Sequence, residues 1–165
     1  MTASHNVPMA LIATAYHEAG HAVAAYWLGR RVEGIDIDPA TLGGGTHVSP
    51  SDDWLREVVT ALAGAAASGR FDPHGIGAPT EAPGQTRDVV HARNVLQQAF
   101  PEDEATGLSD GRFHVWRDVA MTMIGRPMVW HAIVSVAEAL QRSGWHLDGP
   151  TATAIIEAAI KSENR

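Results

Sequence analysis

Apolar residues crowd the first thirty positions. From Met9 to Leu28 nearly every residue is apolar, on every side of a helical wheel. Such a run predicts a helix that passes through the core rather than along the surface. Pro8 suits its first turn, Asn6 is a candidate N-cap, and Gly29 is a candidate stop. The period then changes. Val32, Ile35 and Ile37 alternate with Arg31, Asp36 and Asp38, which predicts a strand over 31–38, ended by Pro39. Gly43-Gly44-Gly45 reads as a turn or bulge, and Thr46-His47-Val48 as a short second strand before Pro50.

Helical patterns fill most of the remainder. Asp52 or Asp53 caps a predicted helix from Trp54 to about Ser68, ended by Gly69. Its Ala61-Leu62-Ala63-Gly64-Ala65-Ala66-Ala67 stretch is small enough for another helix to approach closely. Segment 71–84 is rich in Pro and Gly and reads as a loop. Helices are predicted over 86–99, 112–124 and 128–141, with 101–110 polar and loop-like and with Gly125 and Pro127 breaking the path. Asp148 and Pro150 start a last helix that ends near Ile160. No repeat and no boundary interrupts the chain, so a single domain over 1–165 is expected. Its fold class is mainly α, with a small two- or three-stranded sheet after the first helix.

Composition narrows the function. At 165 residues the chain can bury about two-thirds of its unfolded surface, so no metal is needed merely to fold it. Charged residues make up 19%, below the usual value of about 25%, which leaves room for a partner subunit. A net charge of −7 repels phosphate, so neither nucleic acid nor an anionic membrane is an expected partner. The absence of cysteine excludes disulfides, thiol nucleophiles and cysteine metal sites, and it fits a reducing compartment, the cytoplasm. Segment 8–28 is long enough to span a bilayer. It holds His17, Glu18 and His21 at its centre, where a charge costs about 2.5–3.5 kcal/mol. It therefore reads as a buried helix, with no membrane span and no signal peptide expected.

Those three residues carry the chemistry. His17-Glu18-Ala19-Gly20-His21 is an HExxH pattern. Positions i and i+4 lie one turn apart on one helix face, so both imidazoles can reach one Zn2+ ion at about 2.0–2.1 Å. Glu18 can take a proton from a water activated by the ion without ligating it, as a general base. They are the only ionisable side chains in an otherwise apolar helix, and burying them unpartnered would cost several kcal/mol. A catalytic zinc needs a third protein ligand and an open position. A histidine six residues past the second ligand, as in metzincins, is excluded, because that position is Trp27. Glu57 sits at a helix start that looks exposed. Asp88 is the better candidate, with His91 one turn further on as its rival. An aspartate in a first helical turn also has a purely structural use, stabilising the helix dipole.

Beyond these residues the chain resembles the peptidase domain of FtsH, the ATP-dependent zinc protease. Tyr16 to Ala22 is similar to that family's zinc helix, 31–39 and 44–50 to its paired short strands, and 61–67 to its alanine- and glycine-rich second helix. Segment 84–92 is similar to its glycine-to-aspartate segment, and Trp145-His146-Leu147-Asp148-Gly149 to the Leu-Asp-Gly start of its last helix. The resemblance implies a helical zincin-like peptidase domain in which His17, His21 and Asp88 hold zinc. It also has departures. The chain carries neither the family's ATPase module with its phosphate-binding loop nor its membrane segments, and the family's Thr-Thr-Gly-Ala-Ser stretch is here Ala82-Pro83-Gly84-Gln85-Thr86. Such a domain would cut flexible peptides or unfolded protein, or borrow an unfoldase from a separate ATPase chain.

The expected activity is therefore that of a zinc metalloendopeptidase. A non-proteolytic zinc module and a small-substrate amidase are the rivals, and an intact Glu18 weighs against the first of these. An extended substrate is expected to pair with Gly45, Thr46, His47 and Val48 by adding a strand. Self-association is expected too, with Trp116 and Trp130 as interface anchors. The other histidines and the five tryptophans read as surface, core or interface residues.

Overall fold

The computed structural model describes residues 7–74 and 83–163. In chain order these form α1 (Met9–Trp27), β1 (Val32–Asp38), β2 (Gly43–Val48), α2 (Trp54–Phe71), α3 (Pro83–Ala99), α4 (Glu102–Thr106), α5 (Ser109–Gly125), α6 (Pro127–Arg142), β3 (His146–Asp148) and α7 (Gly149–Glu163). The fold is mainly α, and the three strands make one antiparallel sheet in the order β2-β1-β3.

α1 is the central element. From Ala15 to Ala25 every residue is buried, as its all-round apolar sequence requires. It lies against α2, α6 and the sheet. Tyr16 stacks on Phe71 of α2 at 4.0 Å between ring centroids, with Trp130 of α6 at 5.6 Å. Gly29 ends the helix with φ +77°, a left-handed conformation that glycine adopts without strain. The candidate cap Asn6 lies outside the described residues.

The sheet corrects one expectation. The turn after β1 is not built by the three glycines but by 39–42. Asp38 accepts hydrogen bonds from the Ala40 amide and the Thr41 hydroxyl, both at 2.9 Å, so the chain reverses early. Gly43, Gly44 and Gly45 then pair with Asp38, Ile37 and Asp36 as part of β2. β3 pairs Leu147 with Ile35, and Asp148 closes it by accepting from the Thr151 amide at 2.7 Å, which starts α7.

Several helix boundaries also move. α2 continues through Gly69 to Phe71, because the Phe71 ring has a stacking partner in Tyr16 and tertiary contact outweighs local propensity. Segment 101–110 is not a loop. Its Asp103 is 3% exposed and bound by Arg112, which anchors the short α4 and draws the start of α5 back to Ser109. α7 runs on to Glu163. Between α5 and α6 the path bends by 79° at Arg126, whose extended ψ of 131° is what a following proline demands. Among the described residues no single helix is long and apolar enough to cross a membrane.

Candidate metal centre

α1 and α2 cross where both are small. A Cβ on Gly20 would lie 2.7 Å from the Ala63 carbonyl oxygen and from Ala67 Cβ, so only glycine permits this approach. Next to Ala63 on α2, Gly64 faces the two imidazoles, and a Cβ there would lie 2.6 Å from His21 Cε1 and 2.9 Å from His17 Nε2. The small-residue run of α2 thus leaves room for two histidine rings inside the helix interface. His17, Glu18 and His21 are 7%, 5% and 9% exposed.

His21 donates from Nδ1 to the Thr60 carbonyl at 2.7 Å. That bond fixes the tautomer and turns Nε2 inward, the usual orientation of a metal-binding histidine. Asp88, on α3, reaches the same point. His17 Nε2 and Asp88 Oδ2 are 2.9 Å apart, the two Nε2 atoms 3.0 Å, and His21 Nε2 and Asp88 Oδ2 3.1 Å. In a tetrahedral site with bonds of about 2.0–2.1 Å, ligand atoms stand about 3.3–3.4 Å apart. The near-equilateral triangle is slightly tighter than that edge, so the three side chains fit a small divalent ion after minimal spreading. His17, His21 and Asp88 are also the one group of three potential metal-holding side chains found among the described residues.

The electrostatics agree with that arrangement. Burial alone would raise the Asp88 pKa, but hydrogen bonds and charge from His17 and His21 hold it well below the usual carboxylate range. Asp88 is therefore an anion at any ordinary pH. Burial pushes His21 down, yet the Asp88 hydrogen bond, the charges of Glu18 and Asp88 and the Thr60 carbonyl together raise it. The centre thus favours positive charge, which a proton or a metal ion can supply.

Glu18 stands outside the triangle. Its Oε2 accepts from the Thr46 hydroxyl at 2.7 Å, and Gly44 packs over it, where a Cβ would lie 2.8 Å from Glu18 Cγ. Both neighbours belong to β2, an edge strand of the sheet among the described residues. The centre opens into a cleft of about 260 Å³ whose walls include Gly45, Thr46, Arg30, Glu57, Arg87 and His91. His47 points the other way, 3.3 Å from Asp36 on the exposed sheet face.

The two rival ligands are engaged elsewhere. Glu57 pairs with Arg30 at 2.9 Å, and His91 with Glu57 at 3.4 Å. Trp116 packs edge-on against Trp54 at 5.1 Å, and Trp130 lies under the Arg70 guanidinium at 4.4 Å. Three contributions were not visible in the sequence: the Thr60 carbonyl, the Thr46 hydroxyl and the Arg30–Glu57 pair. Thr46 and Glu57 stand out in the sequence only as a strand residue and a candidate ligand, and Arg30 only as a charge past the end of the buried helix.

A family model described as Peptidase M50B-like matches residues 2–71, a span that holds α1, β1, β2 and α2. No curated protein matches the chain. M50B is a different peptidase family from FtsH, so the FtsH likeness rests on the sequence motifs alone. Over fewer than half of its residues, those that carry the HExxH helix, the chain is similar to a metallopeptidase family.

Proposed function

We propose that this chain is a zinc metalloendopeptidase in which His17, His21 and Asp88 hold the ion and Glu18 is the general base. The convergence of three ligand atoms within 3.1 Å of one another, beside a buried carboxylate that is not one of them, carries the reading. Two nitrogens and one oxygen form a donor set suited to zinc, which supplies Lewis acidity and makes hydroxide available near neutral pH. Glu18 takes the proton of the attacking water and passes it to the leaving amine, a contribution of about 10²–10⁴-fold. The free edge of β2 holds an extended substrate main chain along Gly45, Thr46 and Val48, which favours a peptide over a small amide. The FtsH-like order of segments supports the same architecture, with an unfoldase on a separate chain and a cytoplasmic setting as parts of the proposal.

Zinc content and cleavage of unfolded casein, compared between wild type and Glu18→Gln, test this. The expected result is one zinc per chain in both proteins and hydrolysis in the wild type alone. Equal turnover in Glu18→Gln removes Glu18 from the mechanism, and absence of both metal and cleavage overturns the proposal.

A further inference from the structure

A glutamate next to a ligating histidine is not automatically aimed at the ion. Adjacent helical positions point about 100° apart, and a glutamate side chain has several rotatable bonds. Glu18 is 5% exposed, so a loose rotamer would leave a buried carboxylate unsatisfied. Something must hold it. The structure places one hydroxyl there: Thr46 Oγ1 lies 2.7 Å from Glu18 Oε2 and 2.9 Å from the Glu18 main-chain oxygen. It has one proton, so it donates to one of these acceptors at a time. Thr46 pairs with Ile35 of β1, so its position is set by the sheet and not by α1. Gly44, two residues earlier on the same strand, lies against the same carboxylate, since a Cβ there would lie 2.9 Å from Glu18 Cδ.

We propose that Thr46 is a positioning residue: its hydroxyl, presented by the edge strand, holds the Glu18 carboxylate in the orientation its chemistry requires. This rests on Glu18 acting as the base. It also gives β2 a second task beside main-chain pairing, because the strand that lies along the substrate aims the base as well. Misplacing a catalytic group by about 1 Å can cost about 10²-fold in rate, so loss of this hydrogen bond should lower kcat by about 10- to 100-fold.

The test compares wild type with Thr46→Val, Thr46→Ser and Glu18→Gln. Thr46→Val keeps strand shape and volume, so zinc content and KM should hold while kcat falls, and Thr46→Ser should recover most of the loss. A second readout does not involve turnover. In urea unfolding of the metal-free protein, Thr46→Val and Glu18→Ala should be non-additive when combined, because each removes the same hydrogen bond. Wild-type kcat in Thr46→Val, or additivity in the cycle, overturns the inference while an inactive Glu18→Gln leaves the base intact. An active Glu18→Gln instead fails the reading on which it rests.

Discussion

Replacing Gly64 by alanine sets two known effects against each other at one atom. Gly64 lies inside α2, where alanine is favoured over glycine by about 1 kcal/mol. Its new Cβ would lie 2.6 Å from His21 Cε1 and 2.9 Å from His17 Nε2, with His21 Nε2 nearer still. Ordinary contacts start several tenths of an ångström further out, so both rings must move, and overpacking of this kind costs about 1–3 kcal/mol. Gly69 provides the control. It lies in the same helix and has nothing within 4 Å of its would-be Cβ, so Gly69→Ala reads the helix gain alone. Urea unfolding of the metal-free variants should therefore find Gly69→Ala more stable than wild type, and Gly64→Ala less stable than Gly69→Ala by about 1–3 kcal/mol. The same displacement spreads the ligands, so chelator competition should show zinc held at least about tenfold more weakly in Gly64→Ala. If Gly64→Ala matches Gly69→Ala in stability and wild type in metal affinity, the packing of α2 against the imidazoles is not what shapes the centre.

Further expectations follow from the same contacts. Asp88→Ala should lose zinc while His91→Ala keeps it, read by atomic absorption after dialysis; the reverse pattern would make His91 the ligand. Gly20→Ala should lower stability by about 1–3 kcal/mol, because its Cβ meets Ala63 and Ala67 at 2.7 Å. The Arg112 hydrogen bond holds the Asp103 carboxyl below its ordinary range. Its stabilising effect is thus complete above about pH 4 and is lost as the pH falls through the lower folded value. Asp103→Asn should flatten that acid limb in thermal melts between about pH 2 and 5. Self-association predicts a mass above 17.6 kDa by light scattering at micromolar concentration, and a constant monomer mass would defeat it.

α1 was legible because its punctuation is local: a proline before it, a glycine after it, and ionisable residues only where a metal would want them. β2 was half legible. Its Thr46–Val48 part follows strand propensity, but the glycines are drawn into pairing by a turn that Asp38 starts five residues before Gly43. α4 was invisible, since its anchor is the Asp103–Arg112 contact. The end of α2 was misread because Gly69 is a local stop signal, whereas the Tyr16–Phe71 stack is a contact across 55 residues of chain. Within the centre, the i, i+4 histidines are read from spacing, while Asp88 stands 71 residues from His17 and had a rival three positions away. The Thr60 carbonyl carries no signature, because every residue has a carbonyl.

That 71-residue separation has a bearing on when the proposed centre can first be complete. The first two proposed ligands and the proposed base all emerge early in synthesis, on one helix. The third arrives only with α3, which rests on α2, β2 and α5 and cannot dock before they exist. A nascent chain, or an N-terminal fragment released by a nick ahead of Asp88, holds the HExxH helix without a complete centre. If the centre works as proposed, hydrolysis waits on completion of the fold, and the order of residues along the chain sets a delay.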